Sequence, residues 1–145
     1  MDKYIQEIQL RWSDFDANLH VRHSAYYDFA ALARINCLEQ CGLTFEMMRE
    51  GNFGPVLFRE ECLFKKEIRY HDKIFVEVLV SRAKKDFYRF SIDHLLTKGD
   101  GTLAATITVD AAFFDRNLRK IITLPDQARE GLAQMPRSPD FSWID

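Results

Sequence analysis

The sequence predicts an α+β domain in which an antiparallel sheet of about five to six strands wraps around one long central helix. Residues 24–42 are apolar on nearly all sides of a helix, and a helix of this kind is buried. Stretches of alternating apolar and polar residues precede and follow it, as half-buried strands do. The chain has 145 residues, of which 47% are apolar. A single domain over residues 1–145 with a substantial core is therefore expected.

The strands are predicted from period-two alternation. The first covers residues 3–12 and precedes the long helix, while "TFEMMREG" at residues 44–51 adds a short helix after it. The "KGDG" segment at residues 98–101 predicts a tight hairpin between the last two strands. The four later strands cover residues 55–69, 73–82, 87–97 and 102–114. A sheet of this size has open edges, and a second copy commonly covers one, so a homodimer or homotetramer is expected.

The C-terminal segment is predicted to hold one short helix and a tail. Leu124 and Pro125 open the helix, which runs to about Leu132. Residues 136–145, "PRSPDFSWID", are interpreted as a polar C-terminal tail with Trp143 as a candidate anchor.

Both ends of the long helix carry terminating residues. Ser24 is predicted to cap the N-terminus, and Gly42 is predicted to end the helix at its C-terminal side. Cys37 and Cys41 lie four residues apart and are expected to fill the core from one face. With Cys62 they make three cysteines and no CxxC pair, which is typical of reduced thiols in a cytoplasmic protein.

Composition argues against several classes of partner. The formal net charge is -2, from 20 basic and 22 acidic residues, so nucleic acid is not the expected partner. No apolar run reaches the ~18 residues that a membrane-spanning helix requires. The N-terminal segment "MDKYIQEIQLRW" is too charged for a secretory signal.

The segment "SDFDANLHVRH", residues 13–23, concentrates polar side chains directly before the long helix. Metal binding is one interpretation. A calcium loop that begins Asp-x-Asp-x-Asn needs Gly at its sixth position and Glu at its twelfth, where this chain has Leu19 and Ala25. Zinc or iron could draw on the motif's acids and histidines, but no cysteine and no third histidine at helical spacing lies nearby. Neither a metal nor another cofactor is expected.

Acid–base chemistry is the second interpretation of this segment. A carboxylate at the mouth of a buried helix lies close to backbone N–H groups that can hold a developing oxyanion. Apolar surroundings raise the proton affinity of such a carboxylate, which suits a general base. Asn18 and His20 could orient a water molecule or the carboxylate. The alternative is that Asp14 or Asp16 only caps a turn, and the pattern alone leaves both interpretations open.

The stretch "SDFDANLHVRHSAYYDFAALAR" resembles the opening motif of hotdog-fold acyl thioesterases of the 4-hydroxybenzoyl-CoA thioesterase type. It also resembles the D-x-D-x-N-x-H-V motif of acyl-ACP thioesterases. That motif is reproduced by Asp14, Asp16, Asn18, His20 and Val21. The order of elements fits this family over about residues 3–133. The resemblance implies a hotdog fold.

The resemblance also implies residue roles. Asp16 matches the catalytic carboxylate, acting as general base on water or as nucleophile, and Asn18 and His20 match its polar partners. Backbone amides at the start of the long helix would hold the thioester oxygen. The substrate-binding candidates in this region are His23, Ser24, Tyr26 and Tyr27. The chain departs from the family at Leu19, where many members have Gly, and at Arg22, which is unexpected beside a catalytic acid.

The implied function is hydrolysis of an acyl-CoA or acyl carrier protein thioester. A dehydratase of hydroxyacyl thioesters on the same fold, with His20 or His23 as base, is one alternative. A non-enzymatic module that binds acyl ligands is the other. Two basic clusters could contact CoA phosphates: Lys65, Lys66 and Arg69, and Arg82, Lys84 and Lys85. Candidates for an apolar acyl slot are Phe53, Phe58 and Phe64.

Overall fold

One long helix and a seven-stranded sheet form the fold of the computed structural model, which describes residues 1–145. The helices are α1 (Ala25–Gln40), α2 (Phe45–Gly51) and α3 (Asp126–Ala133). The strands are β1 (Ile5–Ile8), β2 (Phe53–Phe64), β3 (Ile74–Lys84), β4 (Phe90–Lys98), β5 (Leu103–Asp115), β6 (Lys120–Ile122) and β7 (Arg137–Ile144). Single 3-10 turns cover Trp12–Asp14 and Lys85–Phe87.

The sheet has the order β1-β3-β4-β5-β2, with β6 paired to β5 and β7 paired to β3. All pairs are antiparallel except β3 with β7. The predicted antiparallel sheet with one long central helix is therefore confirmed. The predicted number of five to six strands is too low, because the short β6 and the C-terminal β7 both join the sheet.

The helix α1 packs its buried face on the sheet, with its main contacts to β3. Apart from Leu38, its buried side chains are small or aromatic, and they lie over a layer of branched aliphatic residues. That layer includes Val76, Val78, Ile92, Ile107 and Val109. Cys37 and Cys41 lie in this core, as predicted, and all three cysteines are unpaired.

The two predicted helix ends have different outcomes. Gly42 has φ +94°, and the N–H groups of Gly42 and Leu43 donate to the carbonyls of Glu39 and Leu38, which ends α1 as predicted. The predicted Ser24 cap is wrong. Its backbone is already helical, so its hydroxyl does not bond the first amides of α1 and instead accepts from the Arg22 guanidinium.

Two predicted segments need correction. The first strand ends at Ile8, because the Asp14 carboxylate bonds the N–H of Arg11 and closes a turn that leaves Trp12 77% exposed. Residues 136–145 are not a tail. Within this segment Arg137–Ile144 form β7, which is held by the pairing of Ala83 with Trp143 and by edge-on contact of the Trp143 and Phe87 rings.

The edge strand β2 is paired on one side only, with β5. Four of its large apolar side chains are about half exposed, which is unusual for a strand of twelve residues. They are Leu57, Phe58, Leu63 and Phe64. This strand leaves an open edge on the sheet.

Candidate active site

The two acids of the motif before α1 lie in different environments. Asp14 is 0% exposed. Its Oδ1 lies 2.9 Å from Nη2 of Arg11, and its Oδ2 accepts the Arg11 N–H at 2.8 Å. Burial raises the pKa of Asp14, but the hydrogen bonds and charge of Arg11, with the charge of Arg22, outweigh burial and lower it overall. Asp14 therefore anchors the loop as a paired carboxylate.

Asp16 is exposed and differs from Asp14 in its partners. Its Oδ1 accepts the backbone N–H groups of Asn18 at 2.9 Å and His20 at 3.2 Å. The N–H of Asp16 donates in return to the carbonyl of His20 at 2.9 Å. No group of the protein donates to its Oδ2. One carboxylate oxygen is thus fixed by the turn, and the other is available to a water molecule or a substrate.

The backbone of Leu19 explains how both amides reach the same oxygen. Leu19 has φ +61°, in the left-handed region that favours Gly, and its side chain is 59% exposed. The turn between Asn18 and His20 needs this conformation. Leu19 therefore adopts a left-handed conformation at the position where many members of the resembling family have Gly.

The side chains of Asn18 and His20 make no hydrogen bond to Asp16. The His20 Nε2 lies 3.1 Å from Oε2 of Glu67, and Asn18 contributes its backbone N–H. The predicted partners of the carboxylate thus reach it through main-chain amides. The sequence pattern contained no signal for this arrangement, because backbone donors do not depend on residue type.

Arg22 is bound to Asp14 and its neighbours. Its Nε donates to the carbonyl of Ser13 at 3.0 Å, Nη1 donates to the hydroxyl of Ser24, and Nη2 lies 4.0 Å from Asp14. This cation, unexpected in the sequence, holds the loop against the start of α1.

The N-terminus of α1 lies directly after this loop. The N–H of Ala25 donates to the carbonyl of Arg22, whereas the N–H groups of Tyr26 and Tyr27 have no acceptor within the chain. Unpaired N–H groups at the start of a sixteen-residue helix can hold an anionic oxygen.

Tyr26 and Tyr27 differ in burial. The Tyr26 ring is buried and packs edge-on against Phe64 with centroids 4.9 Å apart. Burial raises the pKa of Tyr26, and the negative charges of Glu67 and Asp16 raise it further. Tyr27 is half-buried. Tyr26 therefore lies close enough to Asp16 for the carboxylate charge to act on it. His23, by contrast, is exposed and makes no hydrogen bond.

A polar cavity of about 590 Å³ adjoins the motif through Glu67, the partner of His20. Its lining includes Lys65, Lys66, Glu67, Arg69, Asp72 and Lys98. Arg69 is paired with Glu67, and Lys98 with Asp72. Lys65 and Lys66 have no carboxylate within ion-pair distance. The first predicted basic cluster thus lines this cavity. In the second, Arg82 is bound to Ser91 and lies 4.0 Å from Asp110.

An apolar cavity of about 420 Å³ lies between α1 and the sheet, and sequence reasoning missed it. Its lining includes Leu32, Arg34, Leu38, Leu57, Ile92 and Phe113. None of the three predicted slot residues lines it. Phe53 is in the core, Phe58 lies under the Arg89 guanidinium, and Phe64 packs on Tyr26.

The described chain offers no group of three or more His, Cys, Asp and Glu side chains arranged to hold a metal ion. None of its helices is long and apolar enough to cross a membrane.

A sheet wrapped around one long central helix, with a polar motif at the start of that helix, is the hotdog fold. The chain belongs to the thioesterase-like superfamily, whose family model matches residues 10–132, and it is an enzyme of the thioesterase class.

Solved structures share this fold. A hypothetical protein from Staphylococcus aureus, determined in complex with CoA, is 19% identical with a TM-score of 0.87, over 99% of this chain and 90% of that one. A DHNA-CoA thioesterase from Staphylococcus aureus is 22% identical with a TM-score of 0.77, and the match covers 86% of this chain and 82% of that one. A 1,4-dihydroxy-2-naphthoyl-CoA thioesterase from Synechocystis is 18% identical with a TM-score of 0.80, over 92% and 97%.

Proposed function

We propose that the protein hydrolyses acyl-CoA thioesters with Asp16 as the catalytic carboxylate. The observation that carries the proposal is the asymmetric binding of Asp16. Two backbone amides fix Oδ1, while no group of the protein donates to Oδ2. The charge of Asp16 acts on Tyr26, in the first turn of α1. Membership in the thioesterase-like superfamily supports thioester hydrolysis as the reaction.

Thioester hydrolysis requires few catalytic groups, because a thioester has weak resonance stabilisation and a thiolate is a good leaving group. As general base, Asp16 takes a proton from water, and the water oxygen bonds to the carbonyl carbon. As nucleophile, the Asp16 oxygen forms that bond, and water hydrolyses the resulting anhydride. In both routes the C–S bond breaks and CoA leaves as the thiol. The unpaired N–H groups of Tyr26 and Tyr27 would hold the oxyanion.

The polar cavity beside Glu67 suits the phosphates of CoA. Lys65 and Lys66 are unpaired there and can contact phosphate oxygens as point charges. The CoA-bound neighbour and the neighbours named as CoA thioesterases support CoA over a carrier protein.

The histidine environments favour hydrolysis over dehydration. A dehydratase needs a histidine base at the oxyanion site, but the His20 imidazole is paired with Glu67, and His23 is exposed without a partner. A module that only binds acyl ligands does not need an oriented carboxylate with a free oxygen. The predicted cytoplasmic location remains a prediction.

We further propose a homodimer formed through β2. Edge strands with exposed apolar side chains pair readily with another strand, and β2 offers twelve residues for such a pair. This association would cover the half-exposed side chains Leu57, Phe58, Leu63 and Phe64.

Thiol release from a panel of acyl-CoAs tests the proposed reaction, with wild type beside Asp16→Asn and Asp126→Asn. Asp126 is an exposed acid on α3 and serves as the matched control. We expect Asp16→Asn to lose about 100-fold or more in kcat, the size typical of an acid–base group, and Asp126→Asn to match wild type. Unchanged thermal unfolding of both variants would exclude misfolding. Full activity of Asp16→Asn would overturn the assignment.

A further inference from the structure

We infer that Arg34 binds a carboxylate at the far end of the acyl group, so that the substrate is the mono-CoA thioester of a dicarboxylic acid of medium length. This inference rests on the proposed function and names the substrate class of the same site. The geometry that points to it is a cation with unused donors in an otherwise apolar cavity between α1 and the sheet.

Eleven residues line this cavity. Arg34 is the only charged one, and nine of the other ten have hydrophobic side chains. An apolar cavity with one convergent polar group is the usual form of a small-molecule site, where the polar group sets orientation and specificity. The cavity therefore suits a hydrocarbon chain with a single polar end.

The guanidinium has one hydrogen-bond partner. Nη1 of Arg34 lies 3.2 Å from Nε2 of His94, whose Nδ1 lies 2.9 Å from the carbonyl of Ile107. Since the carbonyl only accepts, Nδ1 carries the proton and Nε2 accepts from Arg34. Burial lowers the pKa of His94 to about 3, so the imidazole is neutral at physiological pH. His94 thus orients Arg34 without neutralising its charge.

Four of the five N–H donors of Arg34 are unused, and no carboxylate lies within ion-pair distance of it. A partly buried cation without a counter-ion is unfavourable, and Arg keeps its charge inside proteins. Planar, bidentate recognition of a carboxylate is the interaction that this side chain makes best. A ligand carboxylate would satisfy the free donors, whereas a plain alkyl chain would cover them and leave them unpaired.

Glu60 is the acid that competes for Arg34. It lies on β2 opposite Val109, on the sheet face toward α1, and its negative charge partly offsets the effect of burial on the pKa of Arg34. Its side chain is exposed and makes no ion pair with Arg34. Glu60 must therefore be varied separately in any test.

The Arg34 cavity lies on a face of α1 that also carries Tyr27, in the first turn of the helix. Tyr27, Ala31 and Arg34 follow an i, i+4, i+7 spacing and share one face of α1. On the other side, β2 passes Phe64 at the Tyr26 end and Leu57 in the cavity.

The distance along α1 from its first residue to Arg34 sets the length of the substrate. Arg34 lies nine residues after Ala25, or about 14 Å along the helix axis, and helical side chains tilt back toward the N-terminus. A thioester held at the start of α1 therefore needs a medium-length chain to bring its far end to Arg34. Succinyl-CoA is too short for this contact.

Matched substrates of equal chain length test the inference: octanoyl-CoA, with a methyl end, and suberoyl-CoA, with a carboxylate end. For wild type we expect a kcat/KM at least about tenfold higher with suberoyl-CoA. Arg34→Met should lose roughly 10- to 100-fold on suberoyl-CoA and keep or gain activity on octanoyl-CoA. Arg34→Lys, which keeps the charge without the planar fork, should fall between them. Glu60→Gln should keep the preference for suberoyl-CoA.

The outcomes separate the inference from the proposed function. Equal turnover of both substrates by wild type, or an equal loss on both in Arg34→Met, would overturn the role of Arg34 and leave the thioesterase proposal standing. If neither substrate is cleaved, calorimetry of suberoyl-CoA and octanoyl-CoA binding to wild type decides. If wild type binds suberoyl-CoA more tightly than octanoyl-CoA and Arg34→Met abolishes this preference, the carboxylate contact is supported. The absence of cleavage would in that case contradict only the proposed hydrolysis. No preference in binding would overturn it.

Discussion

The backbone N–H of His20 donates a 3.2 Å hydrogen bond to Oδ1 of Asp16, while the imidazole of the same residue pairs with Glu67. The two halves of His20 therefore have different tasks. His20→Ala keeps the amide, so we expect it to lose less than about tenfold in kcat, well below the loss for Asp16→Asn. Steady-state thiol release measures both. A loss as large as that of Asp16→Asn would mean that the imidazole acts on the substrate.

Asp14 is expected to control stability at neutral pH. Asp14→Asn weakens the charged hydrogen bonds to Arg11 and should cost about 2–3 kcal/mol of unfolding free energy at pH 7. Folding lowers the pKa of Asp14, so its contribution is present above the unfolded value and is lost as pH falls below about 4. In urea unfolding, the difference in unfolding free energy between wild type and Asp14→Asn should be smaller at pH 3 than at pH 7. A gap independent of pH would contradict this.

Leu19 is expected to strain the turn that holds Asp16. Leu19→Gly removes the cost of a left-handed conformation, roughly 1–2 kcal/mol, although glycine also loosens the unfolded chain. Leu118 is similarly exposed in a turn but has an ordinary φ, so Leu118→Gly is the matched control. In thermal unfolding, Leu19→Gly should have a higher free energy of unfolding than Leu118→Gly. The expected difference is the cost of the left-handed conformation given above. Equal stability of the two would show that the turn is unstrained.

Lys65 and Lys66 are expected to bind the phosphates of CoA. The double variant Lys65→Ala, Lys66→Ala should raise KM for an acyl-CoA by about tenfold, with a weaker dependence on salt than wild type. The same acyl group on N-acetylcysteamine lacks phosphates and should show no change in KM. Lys84→Ala and Lys85→Ala, outside the cavity that contains Glu67, serve as controls. An equal effect on both substrates would argue against phosphate binding.

The open edge of β2 is expected to join two copies. Leu63→Lys places a charge among the half-exposed apolar side chains of this strand and should shift the protein from dimer to monomer in sedimentation equilibrium. Leu118→Lys carries the same change at an exposed position outside β2. If both variants sediment like wild type, β2 is not the contact surface.

The sequence predicted α1 and the central strands because their periodicity reflects burial against neighbours close in the chain. It missed β7, since the segment with Pro136 and Pro139 is largely polar and pairs in parallel with a strand more than fifty residues away. Such pairing depends on tertiary contacts that local patterns do not record.

In the candidate site, too, the local pattern predicted some features, and others depend on tertiary contacts. The pattern found Asp14 and Asp16 together but could not distinguish them, because their difference lies in the positions of Arg11 and Arg22. Arg34 gave no signal at all, since an arginine in a helix is ordinarily solvent-exposed. Its proposed role depends on the apolar cavity between α1 and the sheet, which forms only in the folded chain.

The two ends of the sheet differ in a way that limits how copies can assemble. At one end β3 is flanked by the four-residue β1 along Ile74–Glu77 and by β7 along Val80–Lys84, so no long, continuous edge remains there. At the other end β2 is a single strand of twelve residues, with one irregularity in its pairing between Leu57 and Arg59. When two copies pair through β2, neither copy has a free β2 edge left for a third copy. In the proposed dimer, the interrupted end of the sheet would offer no second edge of this length, so assembly would stop at two copies instead of continuing into open-ended fibres.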